Sequence, residues 1–254
     1  MLLSLVMPAG LQAGDVCHFT KVEGRVDLLK AGQTPPIPAK LQVGAEEKDA
    51  VHTQAASRAQ LLFIDDTNLT IAPASRVTIE SYMYDAKNVK RQAVTQVTQG
   101  MMQAVVTNLH QLKEPDFLIR TPTAVMGVRG TRANIIVSSD EQGRGVTILH
   151  VPEGIIIVRS SEPQIPGLAT VSSGYAVSVL AGQPPGAVLK VPEEVAKKIN
   201  KLLESGVPPV LKGNLNNAIE VLANLVEDTP LEASDLPAGK VKLFQGQVES
   251  SGNR

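Results

Sequence analysis

The chain has no tryptophan and only 3% aromatic residues, although 43% of its 254 residues are hydrophobic. Its core must therefore be built from Val, Ile, Leu and Ala. Such a core suits thin, regularly stacked β layers better than a wide sandwich anchored on large rings. One cysteine, Cys17, excludes an internal disulfide and any zinc site made of cysteines. Asp15 and Val16 precede it in place of two small residues, so it lies in no lipidation box. Charge of one sign is also missing. The net charge is −1, whereas a nucleic-acid binder needs a basic face to neutralise phosphates. No stretch approaches the roughly 20 apolar residues that span a bilayer.

Chemistry-bearing patterns are equally sparse. His18, His52, His110 and His150 are scattered without ligand spacing and read as solvated or core histidines, so no metal site is expected. Asp65 and Asp66 read as turn formers. A glycosidase needs two carboxylates converging on one cleft, and the scattered Glu23, Asp27, Glu80 and Glu153 nominate no such pair. There is no G-x-S-x-G elbow, Walker loop or Cys-His pair, and no cofactor is implied. Gly127-Val128-Arg129-Gly130 spells the GxxG of KH domains but lies between strand-like runs, where a KH loop joins helices.

What is present is a long succession of Val- and Ile-rich runs without helical spacing. All-β structure is expected over residues 14–191. Ala59 to Ile64 and Asn68 to Ala72 flank Asp65-Asp66-Thr67 as a hairpin, and Pro73-Ala74-Ser75 closes the unit. Gly24, Gly100 and Gly154 each precede a strand-like run, at spacings too irregular for a strict solenoid. Met101-Met102 and Leu61-Leu62-Phe63 place apolar residues on both faces of a strand, so either both faces are covered, which is preferred, or one is a sticky edge.

The ends differ from this middle. Residues 1–13, MLLSLVMPAGLQA, are uncharged and read as the end of a secretory signal peptide, with the mature chain starting at Gly14. Pro192, Glu193 and Glu194 open a helix, Val195, Ile199, Leu202 and Leu203 give it an apolar face, and Gly206 stops it. Leu215 to Val226 forms a second helical run beyond Pro208-Pro209. A helical hairpin is expected over 192–228, either packing back on the β domain, which is the commoner arrangement, or binding a partner, followed by a loosely ordered tail, 229–254.

The least probable stretch is Thr121 to Thr131, TPTAVMGVRGT. Thr121, Pro122, Gly127, Gly130 and Thr131 define a corner: Pro122 fixes φ, and the glycines permit positive φ or close backbone approach. Arg129, with Arg120 and Arg132 nearby in sequence, could form an anion-binding spot for an acidic glycan or carboxylate. The alternative, which is favoured, has Arg129 capping carbonyls and tying adjacent turns together.

This corner, with Arg58 to Ser75, resembles the FecR domain, an all-β module of bacterial exported and sensor proteins. Together the two segments carry the resemblance over roughly residues 20–160. The family favours T-P-x-A-x-A-G-V-R-G-T. Met126 replaces its usual Ala, Ala133 lies where an aromatic is common, and Asp66 stands where the family prefers Gly. The resemblance implies a stacked or rolled β-sheet, as a β-roll or irregular β-solenoid, carrying the helical hairpin. The family's best-known member regulates a sigma factor across a membrane, which requires a cytoplasmic segment and a membrane helix. Neither is apparent here, so that role is not carried over.

The expected function is an exported, non-enzymatic sensor or scaffold module of the bacterial envelope, periplasmic or extracellular. Its partner would be an envelope protein or polysaccharide, with no nucleic acid and no membrane span. A carbohydrate-active lyase or hydrolase on a β-helical scaffold is the alternative, and edge-to-edge structural assembly a third reading. Pro35-Pro36-Ile37-Pro38 and Pro184-Pro185 look like guards at the two ends of the β domain, which favours a monomer.

Overall fold

The computed structural model describes residues 14–109, 115–207 and 210–227. The expected signal segment, the Pro208-Pro209 separator, His110 and the tail after residue 228 lie outside the described residues. The first strands are β1 (Asp15–Glu23), β2 (Val26–Leu29), β3 (Ile37–Pro38), β4 (Gly44–Glu46), β5 (Ala50–Thr53) and β6 (Arg58–Phe63). They are followed by β7 (Asn68–Ile71), β8 (Arg76–Asp85), β9 (Lys90–Val106), β10 (Phe117–Arg120), β11 (Ala124–Val128) and β12 (Thr131–Ser139). The last are β13 (Gly145–Glu153), β14 (Ile155–Ser160), β15 (Leu168–Ser172), β16 (Tyr175–Leu180) and β17 (Leu189–Lys190), then the helices α1 (Glu193–Ser205) and α2 (Ala218–Glu227).

The strands pair in two layers. The front layer runs β4-β1-β6-β7-β9-β12-β13-β16-β17. The back layer runs β3-β2-β5-β8-β9-β10-β11-β14-β15. Strand β9 belongs to both and joins them into one rolled sheet of 17 strands. Every pairing between these strands is antiparallel except β9 with β10. The all-β rolled architecture expected from the sequence is the one observed.

The three strand-leading glycines mark three of the places where the chain changes layer. Gly24 lies between β1 and β2, Gly100 within β9 and Gly154 between β13 and β14, at φ values of 67°, 83° and 94°. Each abuts a hydroxyl residue on a neighbouring crossing: Ser57, Ser75 and Thr131. Ser57 Oγ accepts the Arg25 N–H (2.8 Å) and donates to the Ala55 carbonyl (3.0 Å). Ser75 Oγ accepts the Met101 N–H (2.9 Å) and donates to the Pro73 carbonyl (3.1 Å). Thr131 Oγ1 likewise donates to the Arg129 carbonyl (2.8 Å). The loose repeat in the sequence is thus a repeat of corners, and unequal strand lengths hide its period. Gly24 also divides what reads as one strand, Thr20 to Leu29, into β1 and β2.

Two apolar clusters follow from this layering. The inner one lies between the layers and contains Phe19, Leu61, Ile71, Met102 and Ile135 from the front, with Leu28, Ile79, Phe117, Met126 and Ile156 from the back. The second lies on the outer side of the front layer. There Met101, Ile136, Ile148 and Leu180 pack against Ile199, Leu202 and Leu203 of α1 and Val221 and Leu222 of α2. The helices therefore roof the front layer, and Met101 and Met102 are covered on opposite faces. Helix α1 keeps its expected limits, with Pro192 at the N-cap and Gly206 at the C-cap. Helix α2 starts later than the periodicity predicts. The Asn217 Oδ1 accepts the N–H groups of Ile219 (3.1 Å) and Glu220 (3.3 Å), and this capping sets its first turn.

Candidate functional site

The improbable stretch forms the β10–β11 turn, strand β11 and the crossing into β12. Thr121 Oγ1 accepts the Ala124 N–H (2.9 Å) and lies 2.7 Å from Thr147 Oγ1 on β13. Thr123 Oγ1 is within bonding distance of the same hydroxyl (2.7 Å) and of the Val179 carbonyl (2.9 Å). All three threonines are buried, so the motif laces a back-layer hairpin to the front layer. Gly127 makes room for Pro115, and Gly130, at φ 56°, for Asn108. Pro122 is exposed, and its carbonyl accepts a hydrogen bond from the Ser161 hydroxyl (2.8 Å). These residues build the corner.

The three arginines of the sequence reading are not brought together. Arg120 ends β10 on the outer face of the back layer and pairs with Glu80 at 3.3 Å. Arg132 is exposed on the opposite outer face, that of the front layer, in register with Val105 and Glu153. Arg129 is half-buried in the turn between the layers.

A buried ion cluster escaped sequence reading. The Arg91 guanidinium, fully enclosed, pairs with Asp65 and with Asp116 (2.8 Å), donates to the Thr107 carbonyl (3.0 Å) and stacks over Phe117 (5.5 Å to the ring centroid). Burial works against its charge, but the two carboxylates outweigh that and hold its pKa above the usual arginine value. Asp65 also accepts the Thr67 N–H (3.0 Å), so the turn role expected of Asp65 and Asp66 is fulfilled, with Asp66 at φ 63°. The only local signal was an arginine placed on the inward side of an alternating strand. Its carboxylate partners lie 26 residues before it and 25 after it in sequence.

Two further buried groups were legible only as residue types. Cys17 is enclosed in β1, and burial pushes its thiol pKa far up, which makes it a poor nucleophile. His150 is buried beside Asn134 (3.2 Å), which in turn bonds Gln103 (2.9 Å), and burial lowers its pKa to about 4. Among the described residues there is no cluster of His, Cys, Asp and Glu able to hold a metal, and no helix is long and apolar enough to cross a membrane.

None of the described residues roofs the outer face of the back layer. Strand β14 alternates outward Ile155, Ile157 and Arg159 with buried Ile156, Val158 and Ser160. Arg120, Val125, Arg159 and Leu168 stand in register across four strands of this face. Leu168 is 71% exposed, Ile155 58%, Met83 44% and Ile157 43%. At the layer crossings a cavity of about 550 Å³ is lined by Thr98, Gln99, Thr123, Ser139, Val146 and Val207 among others, with no charged side chain among its described lining residues.

A family model described as FecR protein matches residues 49–183. The chain belongs to the FecR family. Two crystal structures of a proposed anti-sigma factor from Parabacteroides distasonis, at 2.50 and 1.65 Å resolution, are similar to it. They are 16% and 17% identical, with TM-scores of 0.43 and 0.41, and in each case 61% of this chain is covered. The match spans 63% and 64% of those chains, so it reaches less than two thirds of their length. No curated protein matches.

The FecR match starts later and runs further than the expected 20–160, taking in β15 and β16 as well. Two of the chain's three departures from the family pattern fall inside the inner core, and the third, Asp66, lies exposed in the β6–β7 turn. Met126 and Ala133 are both fully buried there, one larger and one smaller than the usual FecR residue. These opposite changes repack the corner without opening it.

Proposed function

We propose that this FecR module is an exported, non-enzymatic binding component of the bacterial cell envelope, acting as a sensor or scaffold. The observation that carries the reading is the bare outer face of the back layer, where Met83, Ile155, Ile157 and Leu168 stand exposed beside Arg120 and Arg159. Exposed apolar side chains with a charged rim mark protein-binding surfaces. Of the two partner classes, an envelope protein is therefore favoured over a polysaccharide. The rival, a carbohydrate-active enzyme, needs converging carboxylates. The cavity at the layer crossings offers hydroxyl, amide and apolar groups instead.

A photo-cross-linking residue at position 157 of the full chain, compared with one at position 41, tests the reading in cells. Leu41 is more exposed than Ile157, at 60% against 43%, but lies in the β3–β4 connection. A discrete envelope-protein adduct from position 157 alone is expected. Equal adducts from both positions, or none, would overturn it. N-terminal sequencing of the exported chain should read from Gly14, and an intact Met1 would argue against export by this route.

A further inference from the structure

The two layers leave four edges, and three of them are guarded. Strand β3 has two residues and contains Pro38, β4 has three and ends at Glu46, and β17 has two and ends at Lys190. Short length, proline and charge are the usual ways of blunting an edge. The fourth edge, β15, has five residues, L-A-T-V-S, with neither charge nor proline. Among the described residues its backbone bonds only to β14. The expectation of a monomer rested on Pro35–Pro38 and Pro184–Pro185. The first set guards β3, and Pro184 sits against Gly167, just before β15, leaving the strand itself open.

We infer that a second copy of this chain pairs with β15, strand to antiparallel strand, about a twofold axis. Centred on Thr170, such a pairing sets Leu168 opposite Ser172 of the second copy, a large apolar side chain against a small one. The next outward residue beyond that Ser172 is Ile155, so the exposed Leu168 and Ile155 of the two copies approach each other across the seam. The axis repeats this contact at both ends, as a closed isologous interface requires. The strand carries no charge that would select an unlike partner. Its nearest cation, Arg159, is in register with Leu168 at one end. The two copies of Leu168 would stand four residues apart along the seam, roughly 14 Å, beyond the roughly 8 Å Debye length at physiological salt. The guanidiniums therefore do not oppose pairing. The result joins two back layers into one wide sheet, and it stands whether or not that face also holds an envelope partner.

Sedimentation of the full chain over a concentration series tests this. A reversible dimer is expected. Thr170→Lys should raise its Kd at least tenfold with unchanged circular dichroism and Tm, while Ile37→Lys on the guarded edge leaves the Kd unaltered. Thr170→Pro should act like Thr170→Lys by removing a backbone donor. A monomer at every concentration, or a dimer indifferent to Thr170→Lys, overturns the inference. So does a monomeric chain that loses an envelope partner on Thr170→Lys, since the edge would then take a foreign strand. None of these outcomes bears on cross-linking through position 157, so the two readings fail separately.

Discussion

The outer faces of the two layers begin from nearly the same sequence pattern and end in opposite states. Ile135-Ile136 on β12 and Ile148-Leu149 on β13 are consecutive apolar residues, and both members of each pair are buried, one between the layers and one under the helices. Ile155-Ile156-Ile157-Val158 on β14 is a longer apolar run, yet Ile155 and Ile157 remain exposed. An unbroken apolar run therefore requires one buried face and says nothing of the other. What separates the two is the hairpin α1–α2, which covers the front layer and leaves the back layer open. On that contrast rests the assignment of the back face to partner binding.

The most damaging test strikes the interior on which both faces depend. Arg91→Ala would leave Asp65 and Asp116 buried without their cation, and breaking a buried pair in this way costs about 3 to 5 kcal/mol. Urea unfolding should show that loss, and a cost below about 1 kcal/mol would mean that the cluster is open to water. The contrast between faces is tested by a matched pair. Met101→Ala under the helices should cost about 2 to 5 kcal/mol, whereas Ile157→Ala on the bare face should stay within about 0.5 kcal/mol. Similar costs at both sites would show that the back face is covered in solution.

A pH series probes the margin of the roofed area. His150 neighbours Ala176 of the helix-side cluster, and its folded pKa of about 4 lies below the ordinary 6.5. A depressed histidine pKa means that the unfolded chain binds the proton first. Its contribution is thus complete above about pH 6.5 and is lost as pH falls toward 4. Between pH 7 and 5 the wild type should lose about 2 kcal/mol more stability than His150→Gln, as the linkage relation gives for this shift. Parallel pH profiles would mean that the histidine is solvated. The smallest expected effect is Ile157→Ala itself, which should leave Tm almost unchanged while weakening partner capture.

Much of the architecture was legible where its cause is local. Pro192, the paired glutamates and Gly206 delimit α1 because caps act within one turn. Asp65-Asp66-Thr67 makes its hairpin because a carboxylate can bond the N–H two residues on. The T-P-T-A-V-M-G-V-R-G-T stretch announced the family, although the physical reason for its threonines appears only when Thr147 and the Val179 carbonyl are brought beside them. The shorter strands β4, β5 and β15, and the first half of β9, lacked a local signal strong enough to read. Their stability comes from ladders to strands distant in the chain.

Composition and pattern by themselves determined an all-β chain with an aliphatic core, a helical hairpin after residue 191 and a backbone corner at Thr121–Thr131. Each follows from side-chain volume, strand alternation and backbone freedom, which are properties of residues and their near neighbours. Only the tertiary structure decided that Arg120 and Arg132 face opposite ways, that Arg91 is sealed between two aspartates, and that one outer face is roofed and the other bare. Those outcomes depend on which strands become neighbours and where the helices come to rest. Both are set by contacts between residues far apart in the chain, and no local pattern encodes them.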